Sequence, residues 1–280
     1  MLMEKFRHEY HQEICQQLLS VDEHGIPNNA DKHSDISVTL AKGIVAEIGF
    51  SVGHQEKAAG LTSVKLFETL TANYLEKAFI ALQHLRPGRW LFTVGKRIED
   101  FEQYEHLAIL AETLRESKEL RAALGDYLIH PDIVVGRYPV ADDEINQSKK
   151  LISNDEDIAH LTPFRKRNSS KLILHASISC KWTIRSDRSQ NARTEGLNLI
   201  RNRKGKTPHI VIVTAEPYPQ RIASLALGTG DIDCVYHFAL TELQVAAKHQ
   251  NNPAVLEMLD MLVSGKRLRD IGDLPFDLTI

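Results

Sequence analysis

The 280-residue sequence is poor in cysteine, with only Cys15, Cys180 and Cys234. The number is odd and the spacings match no metal-ligand pattern. That argues against a disulfide framework and for a reducing compartment. Long apolar runs are missing as well: no stretch approaches the roughly 18 consecutive apolar residues that a membrane-crossing helix needs. Residues 1–12 are charged and His-rich and carry no apolar signal core. A cytoplasmic protein that does not enter a membrane is expected. Bulk positive charge is also lacking, since 34 Lys and Arg against 37 Asp and Glu leave a net −3. This excludes a protein that coats polyanions through its overall charge. There is no repeat, no low-complexity tract and no linker-like segment, so a single domain over 1–280 is expected. With 42% apolar and 25% charged residues, the composition is that of an ordinary globular chain.

What the chain does have is charge unevenly placed. Residues 98–160 carry 15 acidic against 6 basic side chains, whereas residues 165–206 carry 12 basic and only 2 acidic, Asp187 and Glu195. A basic segment of about forty residues is either a solvated surface or an element that faces a polyanion, and phosphates are the usual polyanion.

The first half reads as helical, with apolar residues at helical spacing over 4–20, 36–48 and 62–84. Arg86-Pro87-Gly88 stops the third of these. A short strand over 89–94 and an acidic helical stretch in two pieces over 98–124 follow. The second half is rich in β-branched runs, which predict strands over 127–137, 172–183, 208–214 and 232–238. A helix over 187–203 lies between the second and third of these four. Strand, helix, strand is a crossover unit, so the expected core is α/β, a mixed sheet flanked by helices.

Several chemical motifs are absent. Gly95-Lys96 has Trp90 and Arg97 where a phosphate loop needs Gly and Ser/Thr, and Gly228-Thr229-Gly230 lacks the third glycine of a dinucleotide fingerprint. There is no zinc-protease motif and no nucleophile elbow. The strand ending at Lys181 is more informative. Alternation sets Ile178, Cys180 and Trp182 on one face and Ser177, Ser179 and Lys181 on the other. A lysine in such a strand needs a partner, and Asp132, after Pro131 at the start of Ile133-Val134-Val135, is the obvious one. A structural ion pair between neighbouring strands would suffice. The functional alternative is a Mg²⁺ nuclease, which needs hard oxygen ligands and a nearby cation. Pro131-Asp132 fits the general Pro-Asp…Asp/Glu-x-Lys pattern, but Ser179 stands where its second carboxylate belongs. Glu195, on one helical face with Arg188, Ala192 and Leu199, is placed to supply that carboxylate. Arg185, Asp187 and Arg188 at the helix start suit G·C pairs: arginine binds guanine O6 and N7, and a carboxylate accepts from cytosine N4. A helix-capping Asp187 beside solvated arginines is the plain alternative. Arg201, Arg203, Lys204 and Lys206 fit phosphate contacts.

The string from His175-Ala176-Ser177-Ile178-Ser179-Cys180-Lys181-Trp182 through Thr183-Ile184-Arg185-Ser186-Asp187-Arg188, with Gln190-Asn191-Ala192-Arg193 and Glu195-Gly196-Leu197-Asn198, closely resembles the NgoMIV-type restriction endonucleases. So do Val213-Thr214-Ala215-Glu216-Pro217, Cys234-Val235-Tyr236-His237-Phe238 and Gly265-Lys266-Arg267-Leu268. The likeness is strongest over 174–240 and looser in the first sixty residues and around 140–170. The resemblance implies a restriction-endonuclease-like core and a Mg²⁺-dependent homotetramer, a dimer of dimers, that cuts double-stranded DNA at GCCGGC after its first G, leaving 5′-CCGG ends. It further implies Asp132 and Glu195 as metal ligands, Lys181 beside the attacked phosphate, Ser179 in the vacated acidic position and Glu68 as a further active-site acid. Arg185, Asp187 and Arg188 would read the inner CCGG, and Asp31 and Arg221 the outer G·C pairs. Two places depart from the family pattern. Leu61 stands where a minor-groove Gln precedes Thr62-Ser63, and Lys32-His33-Ser34 replaces the Gly-Ser-Asn expected after Asp31. The inner CCGG is therefore the better supported part of the site. Two rival readings are a structure-specific repair or junction nuclease and a non-catalytic DNA-binding regulator, which would need Arg185 and Arg188 but not Asp132, Lys181 and Glu195 together.

Overall fold

The β-branched runs form strands, and the tertiary structure decides how they pair. In the computed structural model the chain is described apart from residues 53–59, 125–128, 130, 154–157, 185 and 229, and without the side chains of 60–62, 124 and 186–190. Among the described residues one sheet runs in the order β1 (Trp90–Val94), β2 (Ile133–Arg137), β3 (Ile173–Lys181), β4 (His209–Thr214), β5 (Cys234–His237), β6 (Leu268–Asp270). β2 is antiparallel to both of its neighbours, β1 and β3, and β3 through β6 are parallel. The sheet is thus mixed, as expected. Neither β6, too short to show a period, nor the helices over 219–226, 240–250, 253–264 and 274–277 are among the elements expected from sequence.

Helices flank the sheet. The N-terminal half supplies α1 (Leu2–Gln17), α2 (Asp35–Ile48) and α3 (Gly60–Ala81). The Ser34 side chain caps α2 by accepting from the Ser37 N–H at 3.3 Å, and Gly49 ends it at φ +76°, where only glycine is unstrained. The acidic stretch after β1 breaks into more pieces than its periodicity implies: two 3₁₀ turns, Ile98–Asp100 and Glu102–Leu107, then α4 (Ala108–Glu116) and α5 (Lys118–Leu124). The cause is tertiary. Phe101 bridges to Leu172 and the Glu102 N–H donates to the Leu172 carbonyl at 2.9 Å, so the backbone there serves the sheet rather than a helix. The C-terminal half adds α6 (Asp142–Ile145), α7 (Ser186–Asn202), α8 (Pro219–Ala226), α9 (Leu240–Gln250), α10 (Pro253–Ser264) and α11 (Leu274–Asp277).

The crossover from β3 through α7 to β4 sets the site. Ala192 and Leu199 are buried, and Gly196 brings the helix against residue 231, where a Cβ would stand 2.6 Å from the Asp231 carbonyl oxygen. The Arg193 guanidinium donates to the same residue's side chain at 2.8 Å. Together these fix the rotation of α7 and leave Glu195 half-buried at the edge of its packed face. The basic segment is therefore not all surface: Arg165, only 1% exposed, holds Asp142, Arg193 holds Asp231 and Lys181 holds Asp132. Arg201, Lys204 and Lys206 remain exposed.

His175 in β3 lies between the rings of Trp90 and His209, and its Nε2 sits 2.7 Å from the Leu278 carbonyl. Burial pushes its pKa down to about 3, against the opposing Leu278 hydrogen bond. The folded state thus binds fewer protons than the unfolded one between the folded value and the ordinary 6.5. The stability this neutral ring contributes is full above that window and is lost as pH falls through it. His175→Gln should make the loss of stability between pH 7 and pH 5 smaller by about 2 kcal/mol. Equal losses in urea unfolding of the two proteins would refute this.

Candidate functional site

The antiparallel pairing of β2 and β3 brings the start of one strand against the end of the other, with Ile133 opposite Ile178. Asp132, one residue before β2, therefore meets the last residues of β3. Its Oδ2 accepts the Cys180 N–H at 2.7 Å, the Ser179 hydroxyl at 3.3 Å and the Lys181 ammonium at 3.2 Å. Ser179 and Lys181 are the less buried positions of that strand end while Cys180 is covered, which is the alternation read from the sequence. Ser177, on the same polar face, is buried, because β3 is a central strand with both faces covered.

Glu68 joins this group from α3. Phe67 packs edge-on against Trp182, which directly follows Lys181, with ring centroids 5.2 Å apart. That contact sets the next residue of α3 beside the Asp132–Lys181 pair. Glu68 is only 8% exposed, and its pKa is pushed up to about 7 by burial and then by the Asp132 charge, against the opposing charges of Lys181 and Lys65. The ion pair that would satisfy a purely structural account is present, but it does not account for a second, destabilised carboxyl beside it. A carboxyl whose pKa is raised by a neighbouring carboxylate, with a single lysine opposing, is an arrangement that a hard cation would relieve. Among the described residues no three His, Cys, Asp or Glu side chains form a metal-sized group. A cation here would thus be held by one or two carboxylates with water and phosphate completing the shell, which is how Mg²⁺ is usually bound.

The residues expected to read bases divide in two. Arg185 lies outside the described residues, as do the side chains of Asp187 and Arg188 at the start of α7 and that of Leu61. Asp31 and Arg221, 190 residues apart, form an ion pair. The His33 N–H and the Arg221 guanidinium hold the Asp31 carboxyl below its usual range against burial. The segment carrying Asp31 is anchored by Asn29, whose Nδ2 donates to the Ala215 carbonyl at 2.8 Å.

Glu216 was assigned no role from sequence. It is 0% exposed and accepts the Ile184 N–H at 2.9 Å and the Tyr218 N–H at 3.2 Å. Burial pushes its pKa up to about 7, opposed by the Ile184 N–H, Arg221 and the Tyr218 N–H. One signal for it was available: an acid just beyond a buried β-branched strand, at the carboxyl end of a parallel pair, where α/β proteins place their sites.

Comparison with known proteins returns the same family from two directions. The family model of the NgoMIV restriction enzyme matches residues 10–280. The type II restriction enzyme NgoMIV of Neisseria gonorrhoeae is 51% identical over 269 residues, covering 94% of this chain and 93% of the relative. Among solved structures, the type IIF restriction endonuclease Bse634I with cognate DNA matches over 84% of this chain and 81% of its own, at 15% identity and a TM-score of 0.35.

Proposed function

This chain belongs to the NgoMIV restriction enzyme family and is a type II restriction endonuclease; from that premise we propose that it hydrolyses double-stranded DNA at GCCGGC, after the first G, with Mg²⁺ as cofactor. The observation that carries the reading is the meeting of Asp132, Ser179, Lys181 and Glu68 at the facing ends of β2 and β3. That meeting lies immediately before the segment in which Arg185, Asp187 and Arg188 follow.

Asp132 and Glu195 are the residues that would hold the metal, which when bound acts as a Lewis acid toward the scissile phosphate. Lys181 is positioned by Asp132 to orient the attacking water and to face the charge that builds on phosphorus. Ser179, with its hydroxyl on Asp132, keeps that carboxylate aimed in place of the acid that the Pro-Asp…Asp/Glu-x-Lys pattern carries there. Glu68 is the further active-site acid beside this pair, in a position to take a proton from the attacking water. Arg185, Asp187 and Arg188 read the inner CCGG, and Asp31 with Arg221 the outer pairs. A palindrome calls for two-fold symmetry, so the working form is an assembly of copies, a tetramer built as a dimer of dimers, each copy one endonuclease domain over 1–280. It works in the cytoplasm, where DNA is the substrate; among the described residues no helix is long and apolar enough to cross a membrane.

Purified protein with Mg²⁺ should cut a plasmid bearing GCCGGC into discrete fragments, and run-off sequencing should place the break after the first G. A smear, or cutting that follows DNA structure rather than sequence in competition with intact duplexes, would overturn the reading in favour of a repair nuclease.

A further inference from the structure

The segment that leaves β4 at Thr214 is tied to the end of β3 and to the Asp31–Arg221 pair. The Thr214 hydroxyl and the Ala215 N–H both donate to the Lys181 carbonyl, at 2.7 and 3.1 Å. Ala215 returns a carbonyl to Asn29, two residues before Asp31. Next comes Glu216, whose Oε2 accepts from Ile184, the residue directly before Arg185, and lies 3.9 Å from Arg221 Nη1. The other end of the same guanidinium is paired with Asp31. A carboxylate without solvent contact is expensive to bury, and an apolar side chain would fill the same volume at lower cost. Its contacts touch both halves of the reading apparatus, through the backbone of one and the cation of the other.

We propose that Glu216 is a specificity-positioning residue that holds the Arg221–Asp31 pair in register with the segment entering Arg185. This rests on the reading above, in which arginine pairs with guanine and aspartate with cytosine of the outer pair. The guanidinium of Arg221 is about one-third exposed and its side chain has many rotamers. Asp31 alone fixes one edge of it. Glu216 supplies a second carboxyl oxygen from beneath, 3.9 Å from Arg221 Nη1, and, being bonded to Ile184 and Tyr218, transmits the position of the β3 end to α8. The outer-pair residues are then held relative to the end of β3 instead of by their own segments alone.

The test compares cleavage of GCCGGC with cleavage of sites altered only at the outer pair or only at an inner pair. Glu216→Gln keeps an acceptor for Ile184 but removes the ionisable carboxyl facing Arg221. The kcat/KM ratio of cognate over outer-altered sites should fall about tenfold, the worth of one good base contact. The ratio against inner-altered sites should stay within about threefold. In a double-mutant cycle with Arg221→Ala, Glu216→Gln should have no further effect on the outer ratio. A merely structural role would lower thermal stability and slow all sites alike, leaving the ratios unchanged, and that result overturns the proposal. If Glu216→Gln fails to fold, Glu216→Asp, one methylene too short to keep both contacts, should show the same selective loss. A wild-type enzyme indifferent to the outer pair would overturn the outer-pair reading and this proposal together. A selective wild type with unchanged ratios in the variants overturns this proposal alone.

Discussion

Asp132→Ala is expected to lower single-turnover DNA cleavage by on the order of a thousandfold or more, while leaving affinity for a GCCGGC duplex within about threefold. One oxygen of this side chain gathers the Cys180 N–H, the Ser179 hydroxyl and the Lys181 ammonium. Its loss removes the proposed metal ligand and also releases the lysine from its aim. The base contacts proposed above fall to Arg185, Asp187, Arg188, Asp31 and Arg221, and among the described contacts this carboxylate holds neither Asp31 nor Arg221. Binding should thus survive, helped by one fewer negative charge facing phosphate. Alanine also strands the Cys180 N–H, at a cost of about 1–3 kcal/mol in stability. Asp132→Asn separates the two effects, because its amide oxygen still accepts from Cys180 while the charge is gone. Asn at this position should fold with near wild-type stability and remain inactive; cleavage within tenfold of wild type would reject Asp132 as a metal ligand. Loss of both binding and cleavage in Asp132→Asn would point to a structural ion pair instead.

The largest effect on stability is expected far from the site. Arg7 on α1 donates to both oxygens of Asp270 at 2.8 and 2.7 Å and to both oxygens of Glu242 at 2.8 and 2.7 Å. Asp270 also accepts the Leu240 and Gly272 N–H groups. Burial alone would raise both carboxyls, yet the hydrogen bonds and charge of Arg7 hold them below their usual range. Arg7→Met would leave two partly buried anions facing each other without a cation, at a cost of about 3–5 kcal/mol. The urea midpoint should fall with an unchanged slope. Because both folded-state values are depressed, the contribution is full above the ordinary carboxylate range and is lost on acidification, so the difference between Arg7→Met and wild type should shrink at low pH. A change under about 1 kcal/mol at pH 7 would show that the network is balanced by desolvation and stabilises little.

Much of the site's first layer was legible in one dimension. Pro131-Asp132 before a β-branched run and Ser179-Cys180-Lys181 ending another are local patterns, and strand alternation converts them directly into faces. The antiparallel β2–β3 pairing then makes Asp132 meet Lys181. The helix after β3 was legible for the same reason, since Ala192 and Leu199 show its buried side in their spacing. The family resemblance added Glu68, Asp31 and Arg221 by motif. Without it, no periodicity would have connected residues 190 positions apart.

The amino-acid order by itself determined most of the sheet strands and the long helices, where positive charge concentrates and which short strings carry an acid or a lysine, because these depend on near neighbours and on period. The tertiary structure alone decided which of those charges are available. Arg165 and Arg193 are consumed by Asp142 and Asp231, Arg7 by Asp270 and Glu242, while Glu68 and Glu216 are raised to about 7. The physical reason is that a side chain's charge state and partner depend on burial and on distance through space. Both are set only when helices from the first eighty residues close over a sheet built from the rest.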